Sequence, residues 1–244
     1  ANFARAKRFI ESLPGVAAFI DWHEHGRCFC ECGDAKRRGS KDSYTRGECV
    51  ACSGCQKSHD KDSTAWRSCA VKCQTYAVPW GWSRFAIMQG SRTASFNNLW
   101  DKFHRKFHGT RVDSLGAILA SGKLAQPGDQ LVGLDGKVTE LSIPAGHISS
   151  SFVRHNEHLG KRETFDPRQV FFSPSILYAA KTQYAKPKKW TDPKDGKRYR
   201  AQVVLSLLVQ PGSYGVGQTT GGATGDPIVG DNDIECYVQD SATS

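Results

Sequence analysis

The residues most clearly suited to chemistry are cysteines crowded into one stretch of the chain. Eight of the nine cysteines lie within residues 23–75, which contain few aliphatic side chains. Thiols two or three residues apart converge readily on one tetrahedral ion, whereas a disulfide between such close neighbours is usually strained. The spacing therefore favours one or two structural Zn²⁺ ions, with disulfides as the alternative. The predicted ligands are Cys28, Cys30, Cys32, Cys49, Cys52, Cys55, Cys69 and Cys73, and His23, His25 or His59 could replace a thiolate.

A second set of chemically capable residues lies in the C-terminal half, in three short stretches. These read Phe107-His108-Gly109-Thr110, then Val170-Phe171-Phe172-Ser173 followed by Tyr178 and Tyr184, and finally Ile234-Glu235. Taken singly, each has an ordinary structural interpretation as a strand-end histidine, core phenylalanines, packing tyrosines or a surface glutamate. Their order along the chain makes a shared site a competing interpretation. Cys236 stands apart from the other cysteines and is expected to be buried and unreactive.

The positive charge is concentrated with the cysteines. Residues 1–107 carry 18 Lys+Arg against 10 Asp+Glu, a net +8, whereas residues 108–244 carry 15 against 14, a net +1. The cluster Lys36-Arg37-Arg38 could meet nucleic-acid phosphates, or it could be a solvated loop that keeps a small domain soluble. Both interpretations stay open.

Composition excludes some classes of protein. Hydrophobic residues make up 39% of the chain and charged residues 23%, and no apolar run approaches the roughly 18 residues that span a bilayer. We therefore expect a globular protein with no membrane partner, and a monomer. An intracellular location is favoured, although a removed leader would leave no trace.

Elements that could position these residues follow from spacing. Residues 3–13 predict an amphipathic helix closed by Pro14-Gly15, residues 106–108 predict a strand, and Asp113 is a plausible N-cap for a helix that Gly122 ends. That helix would bury Leu115, Ile118 and Leu119.

Later elements are predicted in the same way. We expect an aromatic turn and strand at 78–85, loops with short strands over 126–168, strands at 170–173, 201–209 and 234–238, a helix at 176–185, a turn at 211–213 and a flexible segment at 215–232. A boundary near residue 90 divides the chain into a cysteine-rich region, 1–90, and a second domain, 91–244.

The three C-terminal stretches, in their order and spacing, resemble the ADP-ribosyltransferase superfamily on its diphtheria-toxin and poly(ADP-ribose)-polymerase side. The chain is most similar to the ADP-ribosyltransferase-like C-terminal region of neuralized-like proteins. The shared stretches are Gly81-Trp82-Ser83-Arg84-Phe85, Ser173-Pro174-Ser175-Ile176-Leu177-Tyr178-Ala179, Pro211-Gly212-Ser213-Tyr214 and Ile234-Glu235. The resemblance implies an α+β fold, a split β-sandwich with flanking helices, over about residues 100–240.

The resemblance also implies roles in NAD⁺ binding. His108 would hydrogen-bond a ribose hydroxyl, the Gly109 backbone would hold the nicotinamide amide, and Glu235 would favour the oxocarbenium-like sugar cation or orient the nucleophile. Phe171 and Tyr184 would stack on nicotinamide, with Tyr178 as substitute or lid. Thr110 and Ser173 are further cofactor-binding candidates.

The sequence departs from the polymerase pattern at the aromatic strand, where Phe171 replaces the usual tyrosine. Stacking survives that change, but a hydroxyl contact is lost. The distance from Phe171 to Tyr184 along the chain is long for the pattern, so Phe172 is an alternative stacking partner. Asp233 occupies a position that could help to select the acceptor.

The function that these observations favour is transfer of one ADP-ribose from NAD⁺ to a protein or nucleic acid, with His108 and Glu235 as catalytic residues. The alternative is a non-catalytic, zinc-stabilised module that binds protein or nucleic acid on a degenerate transferase fold. An RNA 2′-phosphotransferase, which uses the same fold and NAD⁺, has no catalytic glutamate, so Glu235 counts against it.

Overall fold

A computed structural model describes part of the chain in atomic detail. The described residues are 3–22, 82–88, 96–97, 99, 103–126, 128–132, 136–140, 153–156, 161–164, 169–210, 213–220, 229, 231 and 234–238. They form a mixture of helices and small antiparallel sheets. Within these ranges, no helix has the length and apolar character needed to cross a bilayer.

The helices are short and the strands are numerous. The helices are α1 (Phe3–Glu11), α2 (Leu115–Ser121) and α3 (Ile176–Ala179). The strands are β1 (His104–Thr110), β2 (Gln130–Val132), β3 (Val138–Glu140), β4 (Val153–Asn156), β5 (Lys161–Thr164), β6 (Val170–Phe172), β7 (Lys188–Thr191), β8 (Arg198–Ala201), β9 (Val203–Val209), β10 (Gly215–Gly217) and β11 (Glu235–Val238).

Two sheets form the frame of the C-terminal half. β1 pairs antiparallel with β9, and a second sheet has the order β10-β11-β6. The sheets are joined where Phe107 and Ser173 exchange two backbone hydrogen bonds of 2.7 and 2.8 Å. Alternate residues of β6 and β11, among them Phe172 and Cys236, pack in a buried cluster with Leu207 of β9. Because strand side chains alternate between faces, Phe171 and Glu235 project from the opposite side of their sheet.

The main hydrophobic core joins the N-terminal helix to this frame. Phe9 and Ile10 of α1 pack in one buried cluster with Val112, Leu115 and Leu205. A residue of this kind contributes about 1.5–3 kcal/mol when it is fully buried. The predicted amphipathic helix is therefore confirmed, and α1 packs against β9 and α2, in the C-terminal half. The domain boundary near residue 90 stays a prediction.

The prediction for α2 was right about its body and wrong about its start. Leu115 is buried and Gly122 ends the helix with a positive φ of 70°, as its lack of a Cβ allows. Asp113 is not the N-cap, because it lies inside a 3-10 turn that leads into the helix. Its carboxylate instead accepts a hydrogen bond from Lys188, which lowers the pKa of Asp113.

The helix predicted over 176–185 is much shorter. It begins at Ser175, whose hydroxyl accepts a hydrogen bond from the Tyr178 amide at 3.1 Å, and it ends at Ala179. The Gln202 side-chain amide donates to the carbonyls of Ala180 and Ala185 at 2.8 and 2.7 Å. Ala180 is the residue that caps the end of α3, and Ala185 ends the turn that follows it, so Gln202 holds the helix end and this turn together.

Three other predictions changed in detail. The aromatic strand predicted near residues 78–85 is not a ladder strand over the described residues 82–88, where Ile87 instead makes a single bridge with Ile20. The strand at 201–209 is interrupted at Gln202, which separates β8 from β9. The segment 215–232 begins with a short strand, β10, that pairs with β11. The remaining predicted strands at 106–108, 170–173 and 234–238 are confirmed.

Candidate functional site

His108 has a defined protonation state on β1. Its Nδ1 lies 2.6 Å from the carbonyl oxygen of Phe171, which can only accept a hydrogen bond, so Nδ1 carries the proton. Burial lowers the pKa of His108, and the Phe171 hydrogen bond opposes that shift. The ring is therefore neutral at pH 7, which leaves Nε2 as an acceptor. A hydroxyl group of a sugar is a suitable donor to such a nitrogen.

Gly109 lies where no larger residue fits. A Cβ at this position would collide with the backbone carbonyl of Ala179 and would lie 2.9 Å from the Cβ of Tyr184. β1 therefore approaches α3 and the following turn more closely than a side chain would allow. This close approach brings the His108 strand beside the two tyrosines.

Glu235 is a buried carboxylate surrounded by hydroxyl groups. It is 2% exposed, and its Oε2 accepts hydrogen bonds from Tyr178 Oη at 2.7 Å and from Thr220 Oγ1. The Thr220 amide also approaches the same oxygen at 3.4 Å. Residues from α3, from the loop after β10 and from β11 thus meet at one carboxylate.

The aromatic residues divide into two pairs. The rings of Tyr178 and Tyr184 lie 5.2 Å apart between centroids, and their hydroxyl groups are 3.0 Å apart. Burial raises the pKa of Tyr178 and the Glu235 carboxylate raises it further, so its hydroxyl keeps its proton. Phe171 packs instead against Tyr237, at 6.3 Å between centroids. The structure therefore brings Tyr178, rather than Phe171, onto Glu235.

Two further candidates of the predicted site have structural contacts. Ser173 is 1% exposed, and its hydroxyl accepts a hydrogen bond from the Ser175 amide at 3.0 Å. Thr110 is buried at the end of β1, opposite Val203 of β9. Phe172 is buried in the cluster between the sheets, so its ring is not placed for stacking on a ligand. Asp233 lies outside the described residues.

Thr220 is the site residue that sequence reasoning missed. It lies in the segment predicted to be flexible, and no motif singles it out. The backbone amide of the preceding residue, Thr219, donates a hydrogen bond of 2.9 Å to the carbonyl of Asp231, a residue near the start of β11. This contact and the pairing of Gly217 with Glu235 in the β10–β11 ladder bring the Thr220 hydroxyl to Glu235.

A second buried ionisable centre, which the sequence did not predict, lies on the Cys236 face of β11 and includes two residues of β1. Lys106 is fully buried, and its Nζ lies 3.4 Å from Cys236 Sγ and 4.7 Å from the centroid of the Tyr214 ring. His104 Nδ1 lies 2.7 Å from Tyr214 Oη. Burial and the charge of Lys106 lower the pKa of His104 to about 4. The expectation that Cys236 is buried is confirmed.

The predicted zinc ligands, the eight cysteines from Cys28 to Cys73 with His23, His25 and His59, lie outside the described residues. Within the part of the chain that is described, no three His, Cys, Asp or Glu side chains are grouped to hold a metal ion. The zinc region stays a prediction.

No family model matches the chain, and no solved structure matches it.

Proposed function

We propose that the chain is a mono-ADP-ribosyltransferase that transfers ADP-ribose from NAD⁺ to a macromolecular acceptor and releases nicotinamide. The observation that carries the proposal is the meeting of Glu235, Tyr178 and Thr220 at one buried carboxylate. The resemblance of the His108, aromatic and Glu235 stretches to this superfamily supports the same proposal. The resemblance implies a split β-sandwich fold, which the two packed sheets would form.

The reaction determines what each residue would do. The bond between the nicotinamide nitrogen and ribose C1 breaks, and nicotinamide leaves with the bonding electron pair. An acceptor oxygen or nitrogen then forms a bond to C1 and loses its proton. Positive charge builds on the sugar between these events, so a fixed negative charge beside C1 lowers the barrier. Glu235 would supply that charge in its ionised form and would hold the ribose 2′-hydroxyl.

The remaining residues would bind and orient NAD⁺. His108, neutral and protonated on Nδ1, would accept a hydrogen bond from a ribose hydroxyl at Nε2. The backbone of Gly109 would approach the nicotinamide amide, since it carries no Cβ. The tyrosine pair would offer a ring for stacking on nicotinamide. An aromatic stack of this kind contributes about 0.5–1.5 kcal/mol beyond the area that it buries.

The test is to measure nicotinamide release from labelled NAD⁺ with wild type and with Glu235→Gln. The amide keeps the shape of the side chain and removes its charge, so turnover should fall by about 10²–10³-fold. His108→Gln should weaken both binding and turnover. A Glu235→Gln protein that folds and keeps near wild-type turnover would falsify the assigned role.

A non-catalytic binding module is the second candidate. The observation that favours it is that hydroxyl groups of the protein already contact the Glu235 carboxylate. This candidate expects no nicotinamide release from wild type with protein, DNA or RNA acceptors. It also expects Glu235→Gln to alter stability alone.

Zinc would be the structural metal of the cysteine-rich region. Metal analysis and thiol titration of the purified protein test this prediction together. We expect one or two Zn²⁺ per chain, and thiols that become reactive only after chelation. Absence of zinc together with loss of free thiols would instead support disulfides.

A further inference from the structure

The hairpin formed by β7 and β8 carries a concentrated positive charge. Residues 186–200 contain seven Lys+Arg and two Asp+Glu, a net charge of 7 − 2 = +5, in a half of the chain whose total is only +1. All seven basic residues are exposed. They are Lys186, Lys188, Lys189, Lys194, Lys197, Arg198 and Arg200. The near-neutral total of the C-terminal half therefore conceals a strongly basic surface.

The two carboxylates of the hairpin are turned toward α1. Asp192 is fully buried and accepts two hydrogen bonds from the Arg8 guanidinium, at 2.8 and 2.6 Å, which hold its pKa well below the usual range. Asp195 accepts hydrogen bonds from Tyr199 at 2.8 Å and Arg5 at 3.4 Å. Neither carboxylate neutralises the basic residues on the other side of the hairpin.

Strand alternation separates the hairpin into two faces. Trp190 and Tyr199 lie opposite each other in the register and are half-buried on the inner face. Lys189, Arg198 and Arg200 are exposed on the outer face, and no ion pair joins any of them to another described residue. We call this set, together with Thr191 between them, the cationic face.

The cationic face is unfavourable for an isolated hairpin. Lys189 and Arg200 lie directly opposite each other, and like charges in that position repel. A polyanion laid across the strands would convert this repulsion into attraction. Since strands rise about 3.3 Å per residue, Arg198 and Arg200 are spaced about 6.6 Å apart along β8. Charges repeated at regular intervals suit a partner whose own charge repeats along its length.

The cationic face is attached to the candidate site. Gln202, the residue after β8, holds both Ala180 and Ala185, which flank Tyr184 in the chain. Lys188 at the start of β7 pairs with Asp113, three residues beyond the end of β1. The hairpin therefore begins and ends against the elements that carry His108 and Tyr178.

We propose that the cationic face binds the phosphate backbone of a nucleic acid, which is the acceptor of the transferred ADP-ribose. The second half of this inference rests on the proposed function. Phosphate contacts of this kind need no base readout and release counterions. A membrane surface is disfavoured, because none of the large exposed apolar side chains of the described residues lies on the hairpin, and interfacial binding needs such groups.

The experiment measures binding of the full chain to fluorescent single-stranded DNA and RNA of about 20 nucleotides, without NAD⁺. The variant is Lys189→Gln/Arg198→Gln/Arg200→Gln. Loss of three phosphate contacts should weaken binding by about tenfold or more and reduce the slope of log K against log salt by about 2–3. Lys137→Gln, an exposed lysine before β3, is the control and should bind like wild type.

Several outcomes would overturn the inference. These are absence of oligonucleotide binding, an unchanged affinity in the triple variant, or equal binding to poly-glutamate or to phosphatidylserine vesicles. Nicotinamide release without an acceptor separates the two proposals, because it depends on Glu235 and not on the cationic face. In the triple variant that release should stay at the wild-type rate, while transfer to DNA or RNA should fall with affinity. Transfer to protein alone would refute the acceptor assignment.

Discussion

Neighbouring residues of one strand, Glu235 and Cys236, belong to two buried centres of different construction. Glu235 meets hydroxyl groups from α3 and from the loop after β10. Cys236 faces the space between the sheets, where its Sγ accepts a hydrogen bond from Lys106 Nζ. Each centre buries a side chain that can carry charge, and burial is costly unless the group is paired. The difference lies in which elements supply the partners.

The Lys106 centre joins β1 and β11, which belong to two different sheets, so it depends on how those sheets pack together. The Glu235 centre depends on a four-residue helix and a closed loop, neither of which belongs to a sheet. A hydroxyl group on such an element can exchange for a hydroxyl group of a ligand at a small cost. We therefore expect substitutions at the Lys106 centre to change stability, and substitutions at the Glu235 centre to change ligand chemistry as well.

The largest effect is expected from Gly109→Ala, which should damage the Glu235 centre by moving α3 away from β1. The new Cβ meets the Ala179 backbone, which cannot yield as a side chain could. The free energy of unfolding should fall by about 3 kcal/mol or more, and nicotinamide release should be lost. Urea denaturation measures the free energy of unfolding, and an assay with labelled NAD⁺ measures nicotinamide release.

Gly136→Ala is the matched control, because a Cβ there meets no atom within 4 Å. Its φ of 75° makes the alanine cost about 1 kcal/mol of backbone strain. Equal losses in the two variants would show that close approach at Gly109 is not what holds α3.

The elements of the frame differ in how far the sequence could predict them. β6 and β11 were predictable, because valine and aromatic residues of high strand propensity mark them locally. The end of α2 was also predictable, because Gly122 readily adopts the positive φ that ends a helix. The His108 and Glu235 candidates came from ordered motifs, and the structure brings their strands into one frame. Local pattern nevertheless missed β10 and the paired strands β7 and β8, although each of these also pairs with a neighbouring strand.

Local pattern failed at positions that make contacts with distant residues. Residues 176–185 have helical spacing, yet the helix ends at Ala179, and Gln202 holds the carbonyls of Ala180 and Ala185 beyond it. Thr220 reaches Glu235 through contacts between residues far apart in sequence, which are the pairing of Gly217 with Glu235 and the hydrogen bond from Thr219 to Asp231. Lys106 reads as an exposed strand residue and is fully buried. Contacts between residues far apart in sequence leave no periodic signal for such analysis.

The next largest effect is expected from substitutions of Lys106, which show whether this residue contributes to stability alone. Lys106→Ala removes a fully buried stem and leaves a cavity, so the free energy of unfolding should fall by about 2–4 kcal/mol. Lys106→Met keeps the stem and removes the buried amine, and it should lie within about 1.5 kcal/mol of wild type. Thermal or urea denaturation compares the stability of the two variants with that of wild type. Nicotinamide release should be unchanged in Lys106→Met, and its loss would extend the role of Lys106 to the site.

A smaller effect separates the two tyrosines of the Glu235 centre. Tyr178→Phe removes the hydroxyl that donates to the buried carboxylate, at a cost of about 1.5–3 kcal/mol. Tyr184→Phe, the matched control, removes a hydroxyl whose described partner is Tyr178 and should cost about 0.5–1.5 kcal/mol. Turnover should also fall further in Tyr178→Phe. Equal losses of stability and turnover would mean that Glu235 does not depend on Tyr178.

The smallest effect concerns pH and the histidine of the Lys106 centre. The pKa of His104 falls to about 4 from an ordinary value of 6.5, mainly through burial. The unfolded chain therefore binds a proton at this residue that the folded chain does not, at pH values between the two. The contribution of neutral His104 to the free energy of unfolding is fully present above about pH 6.5 and is lost as the pH falls toward 4.

His104→Gln should reduce this acid-dependent loss, because glutamine does not titrate. Near pH 5 the number of protons taken up on unfolding, measured from the slope of stability against pH, should fall by about one. The pKa of His108 is also lowered by burial. His108 should therefore still contribute to the pH dependence of stability in the His104→Gln variant. An unchanged slope would show that His104 is as accessible to protons in the folded chain as in the unfolded one. The Lys106 centre would then be open to water, and the proposed division between a sealed structural centre and an exchangeable Glu235 centre would fail.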